Sequence, residues 1–355
     1  MRRSVFPRSR RHWPPEDRRS VRIPASSSLP APVATGQVRG AQEPGATVRL
    51  PLTCLGDKQL IIPVVNPIRD ARSSTSRVKR MKLALFGAGG KMGVRLSVNL
   101  KQAADIETAH VEVSEAGRAR LEKELGVKAT DADTALKDAD VVVLAVPDTV
   151  IGKVAHQIIE KVKPGAMLFC LDGAAPFAGH MPKRDDISYF MSHPCHPPIW
   201  NDETEMEAKL DYFGGIAAKQ GIVNVLIQGP ESHYEVGDRV GRAIYAPVAR
   251  SHRVTLKQFA LLEPGLSETV NGSLMTVLRQ AMDEVIKKGV SYECARDFLL
   301  GHMNIMGAVI FDQHKGVFSD AANKAIEHGI PVLMRDDWKR CFDDDEIAAS
   351  VKRIT

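Results

Sequence analysis

KLALFGAGGKMG, residues 82–93, joins a short apolar segment to a cluster of glycines, and a segment with an apolar face follows at residues 94–103. The order of strand, glycine turn and helix is typical of the first unit of a dinucleotide-binding α/β fold. Gly87 permits a tight turn, and Gly89 lets the backbone approach a pyrophosphate. The free N–H groups at the start of the helix would then bind the phosphates.

This turn is therefore predicted to hold a dinucleotide cofactor. Its spacing is G-x-G-x-x-x-G when Gly93 is counted as the last glycine, which is one residue longer than the commonest form. A glycine turn that binds no ligand is the alternative. The predicted cofactor-binding residues of the turn are Gly87, Ala88, Gly89, Gly90, Lys91 and Met92.

An acidic residue follows at the spacing expected for ribose recognition. The next predicted strand covers residues 108–113, and Glu112 lies 23 residues beyond Gly89. A carboxylate there binds the adenosine ribose hydroxyls and repels the extra phosphate of NADP, so NAD is the predicted cofactor. Two alternatives stay open: Glu112 is a solvated strand-end residue, or Lys91 or Arg118 allows NADP to bind.

The alternation of strands and helices then continues. Residues 140–147 form an apolar run of the kind found at the centre of a parallel sheet that is covered on both faces. Pro147 and Asp148 stand at its carboxyl end, where ligands bind in open α/β sheets, and are predicted to contact the cofactor. We predict an α/β fold, a Rossmann-type doubly wound parallel sheet over residues 81–254.

The apolar pattern becomes purely helical from residue 255 onward. Residues 255–355 are therefore predicted to form an all-α domain for substrate binding or dimerisation. Within it, residues 291–311 are so apolar that we expect a helix buried nearly all round. These helices predict a homodimer.

The first 80 residues differ from the rest in composition. They contain 10 of the 21 prolines and carry 16 Lys and Arg against five Asp and Glu, whereas the remaining residues have a net charge of −6. Such a segment cannot bury enough apolar surface to fold alone. Three interpretations compete: a disordered basic extension, an organelle transit peptide, or a mis-assigned start upstream of Met81, which we favour.

Charge, cysteines and hydropathy limit the function classes. The mildly acidic residues after Met81 do not predict nucleic-acid binding. No apolar run reaches the roughly 18 residues that a membrane-spanning helix needs, so no membrane association is expected. The five cysteines form no CxxC pair, which favours a reducing, cytoplasmic location.

A rigid segment with two histidines, SHPCHPP, follows another predicted strand at residues 192–198. Its prolines fix the backbone, and an imidazole can act as a general base near neutral pH or as a metal ligand. His193 and His196 are thus candidate site residues. The alternatives are histidines that bind the local backbone, and covalent catalysis by Cys195.

Two glutamates flank a helix break at Pro264-Gly265. Glu263 and Glu268 could meet a substrate or a metal, because polar groups near buried helices need partners. Helix capping with both glutamates exposed is the alternative.

Five segments together resemble the D-apionate oxidoisomerase family, which is similar in architecture to the NAD-binding phosphogluconate dehydrogenase and β-hydroxyacid dehydrogenase group. They are residues 87–93, 174–180, 193–204, 228–232 and 262–269. The resemblance covers nearly all of residues 81–330. It implies NAD-dependent oxidation and rearrangement of a sugar acid, D-apionate, to 3-oxo-isoapionate in apiose catabolism.

The resemblance also implies roles for the candidate residues. We expect His196 to be the catalytic base, with His193 and Glu268 as further catalytic residues. A divalent cation is left open as a second cofactor, with His196 and Glu263 as its ligands. Two other functions remain: a simple or decarboxylating NAD-dependent sugar-acid dehydrogenase, and a non-catalytic NAD-sensing regulator.

Overall fold

The computed structural model describes residues 80–355, and the apolar segment that opens the dinucleotide motif is its first strand. Seven strands form one sheet in the order β2-β1-β3-β4-β5-β6-β7. Neighbouring strands run parallel except β5 and β6, which are antiparallel. The strands are β1 (Met81–Phe86), β2 (Ile106–Val111), β3 (Val141–Leu144), β4 (Met167–Cys170), β5 (Ser188–Pro194), β6 (Gln220–Gln228) and β7 (Val248–Arg253).

Helices connect the strands and then continue without strands to the end of the chain. Those between strands are α1 (Lys91–Gln102), α2 (Glu115–Leu125), α3 (Ala132–Lys137), α4 (Asp148–Ile158), α5 (Ala174–Phe177), α6 (Met206–Leu210) and α7 (His233–Ile244). After β7 come α8 (Leu256–Ala260), a wide π-type helical segment (Leu261–Gly272), α9 (Ser273–Lys287), α10 (Tyr292–Ile310), α11 (Asp320–Leu333) and α12 (Asp344–Ile354). Short 3₁₀ helices cover Ile159–Lys161 and Trp338–Phe342.

Both faces of the sheet are buried. Leu83 and Leu85 of β1 belong to one apolar cluster, whereas Ala84 and Phe86 belong to another, because successive side chains of a strand point to opposite faces. All four residues of β3 and all four of β4 are buried. The predicted α/β class with a Rossmann-type sheet and a helical C-terminal region is confirmed, with β6 and β7 both reversed relative to the parallel order that we expected.

The predicted domain boundary coincides with a change in secondary structure. In the described residues no strand follows Arg253, and the helical part begins at Leu256. The division into two domains at residue 254 stays a prediction. The interpretations of residues 1–80 concern residues outside the described range, apart from Arg80.

The expectation that α10 is buried nearly all round is wrong for the single chain. Ala295 is its one buried residue, and Phe298 is 66% exposed. The apolar residues of α10 therefore lie on the surface of the single chain. They are shielded from water only if another molecule covers them. Among the described residues, no helix is both long enough and apolar enough to cross a bilayer.

Candidate functional site

The glycine turn brings backbone atoms into contact where side chains would not fit. Gly87 adopts a φ of +74°, a left-handed conformation that favours glycine. A Cβ at Gly89 would overlap the backbone of Gly117 in α2, and one at Gly93 would overlap the Gly87 carbonyl. Because α1 starts at Lys91 and no side chain caps it at Gly90, its first N–H groups are open to an anion.

Glu112 lies directly after β2 and faces the same turn. Its Oε2 accepts a hydrogen bond from the Gly89 N–H at 2.9 Å, and its Oε1 accepts from the Ser114 N–H at 2.8 Å and the Ser114 hydroxyl at 2.9 Å. Burial acts to raise the pKa of Glu112, but these hydrogen bonds outweigh it and hold the pKa below its ordinary value. The carboxylate is therefore ionised beside the turn, as ribose recognition requires.

Two cavities meet at the turn, and Gly90, Ala145, Val146 and Pro147 line both. The cavity on the Glu112 side has a volume of about 640 Å³. The cavity on the other side, which we call the histidine cavity, has a volume of about 390 Å³, and His193, His196, Asp148 and Asp172 help to line it. Together they form a cleft along the carboxyl ends of the parallel strands, long enough for the two halves of a dinucleotide.

Both histidines that line the histidine cavity hold Nδ1 against a backbone carbonyl oxygen. The Nδ1 of His193 lies 2.9 Å from the Pro194 carbonyl oxygen, and the Nδ1 of His196 lies 2.8 Å from the Phe213 carbonyl oxygen. A carbonyl can only accept, so each Nδ1 carries the proton and each neutral Nε2 is left able to take one. The backbone of His196 has a φ of +61°, which is uncommon for a residue other than glycine.

Burial affects the protonation of His193. Burial lowers the pKa of His193, the Asp172 carboxylate partly opposes this, and the charge of His196 adds to it. His193 is therefore neutral near pH 7. Its ring also packs on Phe259 of α8, with centroids 5.6 Å apart, so it is held between the sheet and the helical part.

A group of four carboxylates lies around Asp148, which lines the histidine cavity. Burial, together with the charges of Asp172 and Glu268, raises the pKa of Asp148 to about 6. Burial and the nearby charge of Glu268, with smaller contributions from Asp172 and Asp148, raise the pKa of Glu263 to about 7, against a hydrogen bond from Ser267. The structure thus brings Glu263 and Glu268 near Asp148, joining residues predicted from distant segments.

The predicted metal ligands have different surroundings. Glu263 belongs to the carboxylate group, and its backbone is non-helical, at φ −136° and ψ 110°, within the helical break. His196 instead contacts Phe213, with ring centroids 4.8 Å apart, and His193 at 6.3 Å. Among residues 80–355, no three or more His, Cys, Asp or Glu side chains are already arranged around one metal position.

Three residues of the site were missed by sequence reasoning. Asp172 lies two residues after β4 and accepts a hydrogen bond from the Ala174 N–H at 2.6 Å. The rule that identified Asp148, a polar residue at the carboxyl end of a parallel strand, applies equally to Asp172. Phe213 and Tyr245 also line the histidine cavity, and no local pattern in the sequence marks them.

Two family models match successive parts of the chain. The NAD-dependent glycerol-3-phosphate dehydrogenase N-terminus matches residues 84–173, which contain the glycine turn, Glu112 and Asp148. The phosphogluconate dehydrogenase (decarboxylating) C-terminal family matches residues 201–355, which contain Glu263 and Glu268.

Known proteins resemble the chain over nearly their whole length. A D-apionate oxidoisomerase of Rhizobium rhizogenes (strain K84) is 63% identical over 273 residues, which span 77% of this chain and 99% of that protein. One of Cupriavidus necator (strain N-1) is 60% identical over 274 residues, with the same coverage. A crystal structure of a semialdehyde dehydrogenase NAD-binding protein from Cupriavidus necator, in complex with calcium and NAD, superposes with a TM-score of 0.77 at 59% identity, covering 78% of this chain and all of that one. The chain belongs to the D-apionate oxidoisomerase family.

Proposed function

We propose that this protein oxidises D-apionate with NAD and rearranges the carbon skeleton of the product to give 3-oxo-isoapionate. The observation that carries the proposal is the arrangement of the cleft. The uncapped start of α1 and the ionised Glu112 suit the phosphates and ribose of NAD, while His193 and His196, whose Nδ1 atoms contact backbone carbonyls, line the adjoining histidine cavity. NAD bound there supplies the hydride acceptor.

The oxidation needs one base. Hydride leaves the carbon that bears the secondary 2-hydroxyl, and the hydroxyl proton passes to Nε2 of His196, which its Nδ1 bond to the Phe213 carbonyl leaves free to accept it. The product is a 2-oxo acid next to a tertiary alcohol. His193, neutral because of its burial, is a second acceptor in the same cavity.

The rearrangement needs a second proton transfer. Deprotonation of the tertiary alcohol lets one substituent migrate with its bonding electrons to the carbonyl carbon, and the former carbonyl oxygen takes up a proton. Glu263 and Glu268 interact electrostatically with Asp148, which lines the histidine cavity, and the pKa of about 7 at Glu263 allows it to exchange a proton near neutrality.

We also propose a divalent cation beside Glu263. His196, the other predicted ligand, can bind it only when its Nε2 is not accepting the substrate proton, because its Nδ1 is already protonated. A cation that chelates both substrate oxygens would stabilise their developing charge. The mutual repulsion of Asp148, Asp172, Glu263 and Glu268 supports the proposal, since bound positive charge would relieve it. Calcium is present in the Cupriavidus necator structure together with NAD.

A second copy of this chain is the proposed partner. An apolar groove of about 500 Å³ lies between α9 and α10, lined by residues that include Met282, Phe298 and Leu299. None of the 14 residues of α11 is buried, although Ile330 and Leu333 are apolar. Both uncovered surfaces belong to the same chain, so a two-fold pair of chains can cover each with the other.

The four described cysteines are free, which supports a reducing, cytoplasmic location.

The test uses protein beginning at Met81 and a panel of branched and linear sugar acids. NADH formation is followed by absorbance, and NMR identifies the carbon skeleton of the product. D-apionate should give NADH and a rearranged 3-oxo acid, and the rate should fall when divalent cations are chelated.

The alternatives give different products. A simple dehydrogenase would leave the skeleton intact, and a decarboxylating one would release CO₂. NAD binding without NADH formation from any sugar acid would indicate a regulator and contradict the proposal.

A further inference from the structure

The backbone carbonyl that orients His196 belongs to a loop built around a buried aspartate. Asp211 accepts hydrogen bonds from the N–H groups of Gly214, Ile216 and Ala217 at 3.0 Å each and of Ala218 at 3.3 Å. We call residues 211–218 the Asp211 loop. It carries Phe213 into the wall of the histidine cavity.

Two side chains of α1, the predicted dinucleotide-binding helix, contact this loop. Arg95, one turn into α1, places its guanidinium 4.4 Å from the centre of the Phe213 ring and donates a hydrogen bond to the Gly214 carbonyl oxygen at 2.9 Å. Asn99, one turn further, donates to the Gly215 carbonyl oxygen at 3.2 Å. A planar guanidinium can stack on a ring and donate at its edge at once, which an ammonium group cannot do.

Phe213, which Arg95 contacts, makes two contacts with His196. Its carbonyl oxygen lies 2.8 Å from Nδ1 of His196, and its ring lies 4.8 Å from the imidazole. His196 is partly exposed, and its left-handed backbone conformation is strained. Such a conformation persists only while surrounding contacts hold it. Without the Asp211 loop, neither the ring position nor the proton on Nδ1 is determined.

We propose that Arg95 is a positioning residue that fixes the side-chain orientation and the tautomer of His196 through Phe213. The inference rests on the proposed role of His196 as the base. It couples the two ends of the cleft, because the first turn of the helix that carries Arg95 is the predicted phosphate site. Arg95 touches neither the predicted cofactor position nor the reacting atoms, so it acts on the rate and not on NAD affinity.

Two substitutions at residue 95 test the coupling. Arg95→Met keeps an unbranched apolar stem but removes the charge and the donors, and should lower kcat about tenfold. Arg95→Lys, which can place a cation over Phe213 or donate to the Gly214 carbonyl oxygen but not both, should recover only part of that loss. The Kd of NAD, measured by calorimetry, should change less than twofold in both. Lys101→Met is the control, because it removes an exposed cation from the same helix.

A spectroscopic measurement separates positioning from general damage. Long-range ¹H–¹⁵N spectra report which ring nitrogen of a neutral histidine carries the proton, and the His196 signals are those missing from His196→Asn. The wild type should show the Nδ1–H form, and Arg95→Met a mixture with the Nε2–H form.

The outcomes distinguish this inference from the proposed function. If His196→Asn is inactive but Arg95→Met keeps its kcat and the Nδ1–H form, the positioning role is wrong and the base assignment stands. If His196→Asn retains full turnover, the base assignment itself fails. A weaker Kd for NAD with unchanged kcat in Arg95→Met would instead make Arg95 a cofactor-binding residue and overturn the inference.

Discussion

The sheet part of the chain, residues 80–254, and the helical part, residues 255–355, differ in where their apolar side chains lie. Every residue of β3 and β4 is buried. In contrast, α10 buries one of its 19 residues and α11 none of its 14. The sheet is covered on both faces by helices of its own chain, whereas the helical part leaves an apolar surface open.

The two parts therefore differ in whether their own chain is enough to bury their apolar side chains. The sheet part completes its own core and can hold a cofactor turn in fixed geometry. The helical part contributes Glu263 and Glu268 to the carboxylate group near Asp148, and we propose that a second copy covers the rest of its apolar surface. The following substitutions test this division, from the largest expected effect to the smallest.

The largest effect is expected at the proposed base in the sheet part. His196→Asn keeps a polar group near the Phe213 carbonyl but cannot take a proton near neutral pH, so kcat should fall by about 10³. Molecular mass and Tm should stay at wild-type values. His156→Asn on α4, where the ring is exposed, is the matched control and should keep full activity. Turnover within threefold of the wild type in His196→Asn would exclude the role.

The next largest effect is expected at the glycine turn, where an added methyl group tests how tightly the backbone is packed. In Gly89→Ala the new Cβ would overlap backbone atoms of Gly117, so α1 and α2 must separate. Overpacking of this kind costs about 2 kcal/mol, and NAD affinity measured by calorimetry should fall ~30-fold. Gly90→Ala should have a smaller effect, since its Cβ would lie 3.2 Å from the nearest atom, the Gly87 carbonyl oxygen. Equal effects would show that the overlap is not the cause.

A charge on the apolar surface tests the helical part. Phe298→Asp costs a single chain little, because the ring is 66% exposed. Across a dimer interface it should cost about 3 kcal/mol per side chain, and light scattering should report monomers at micromolar concentration. Val98→Asp makes the same kind of change at a 45% exposed residue on α1 and should leave the dimer intact. A wild-type protein that is monomeric would contradict the proposed pair.

The smallest effect concerns the carboxylates where the two parts meet. The pKa of Glu263 is raised by burial and nearby charge from its ordinary 4.5 to about 7, so folding favours the protonated acid. Its contribution to stability is present below about pH 4.5 and is lost as the pH rises through about 7. Glu263→Gln mimics the protonated acid and should raise Tm by about 2 °C at pH 8 without added cations, with no gain at pH 4.5.

The control for this measurement is a carboxylate far from the group. Glu124→Gln on α2, where the side chain is exposed, should leave the difference between the two pH values unchanged. A Tm gain for Glu263→Gln that is equal at both pH values would mean that the charge of Glu263 is not the cause.

The local features of the fold could be read from the sequence. The glycine turn between β1 and α1 depends on neighbouring residues, and Glu112 follows from a fixed spacing. The reversal of β6 could not be predicted, because an apolar run shows that a strand forms but not its direction. Similarly, the pattern of α10 showed that it needs cover but not from which chain.

The candidate site could be predicted only in part. His193 and His196 stand out because prolines surround them at a strand end. Arg95 and Phe213 do not, since they are 118 residues apart and meet only through the folding of the sheet. The pKa of Glu263 likewise depends on charges from two other segments, those of Asp148 and Asp172.

The antiparallel pairing of β5 with β6 has a consequence for how the substrate end of the cleft can change. A parallel connection crosses the face of a sheet and re-enters at the opposite edge. Here residues 195–219 leave β5 and enter β6 at the same edge, because Pro194 pairs with Ile222. Substitutions at residues 197–210, between the proposed base and the Asp211 loop, can therefore alter the acid that is admitted while the order of the other strands and the coenzyme contacts stay unchanged.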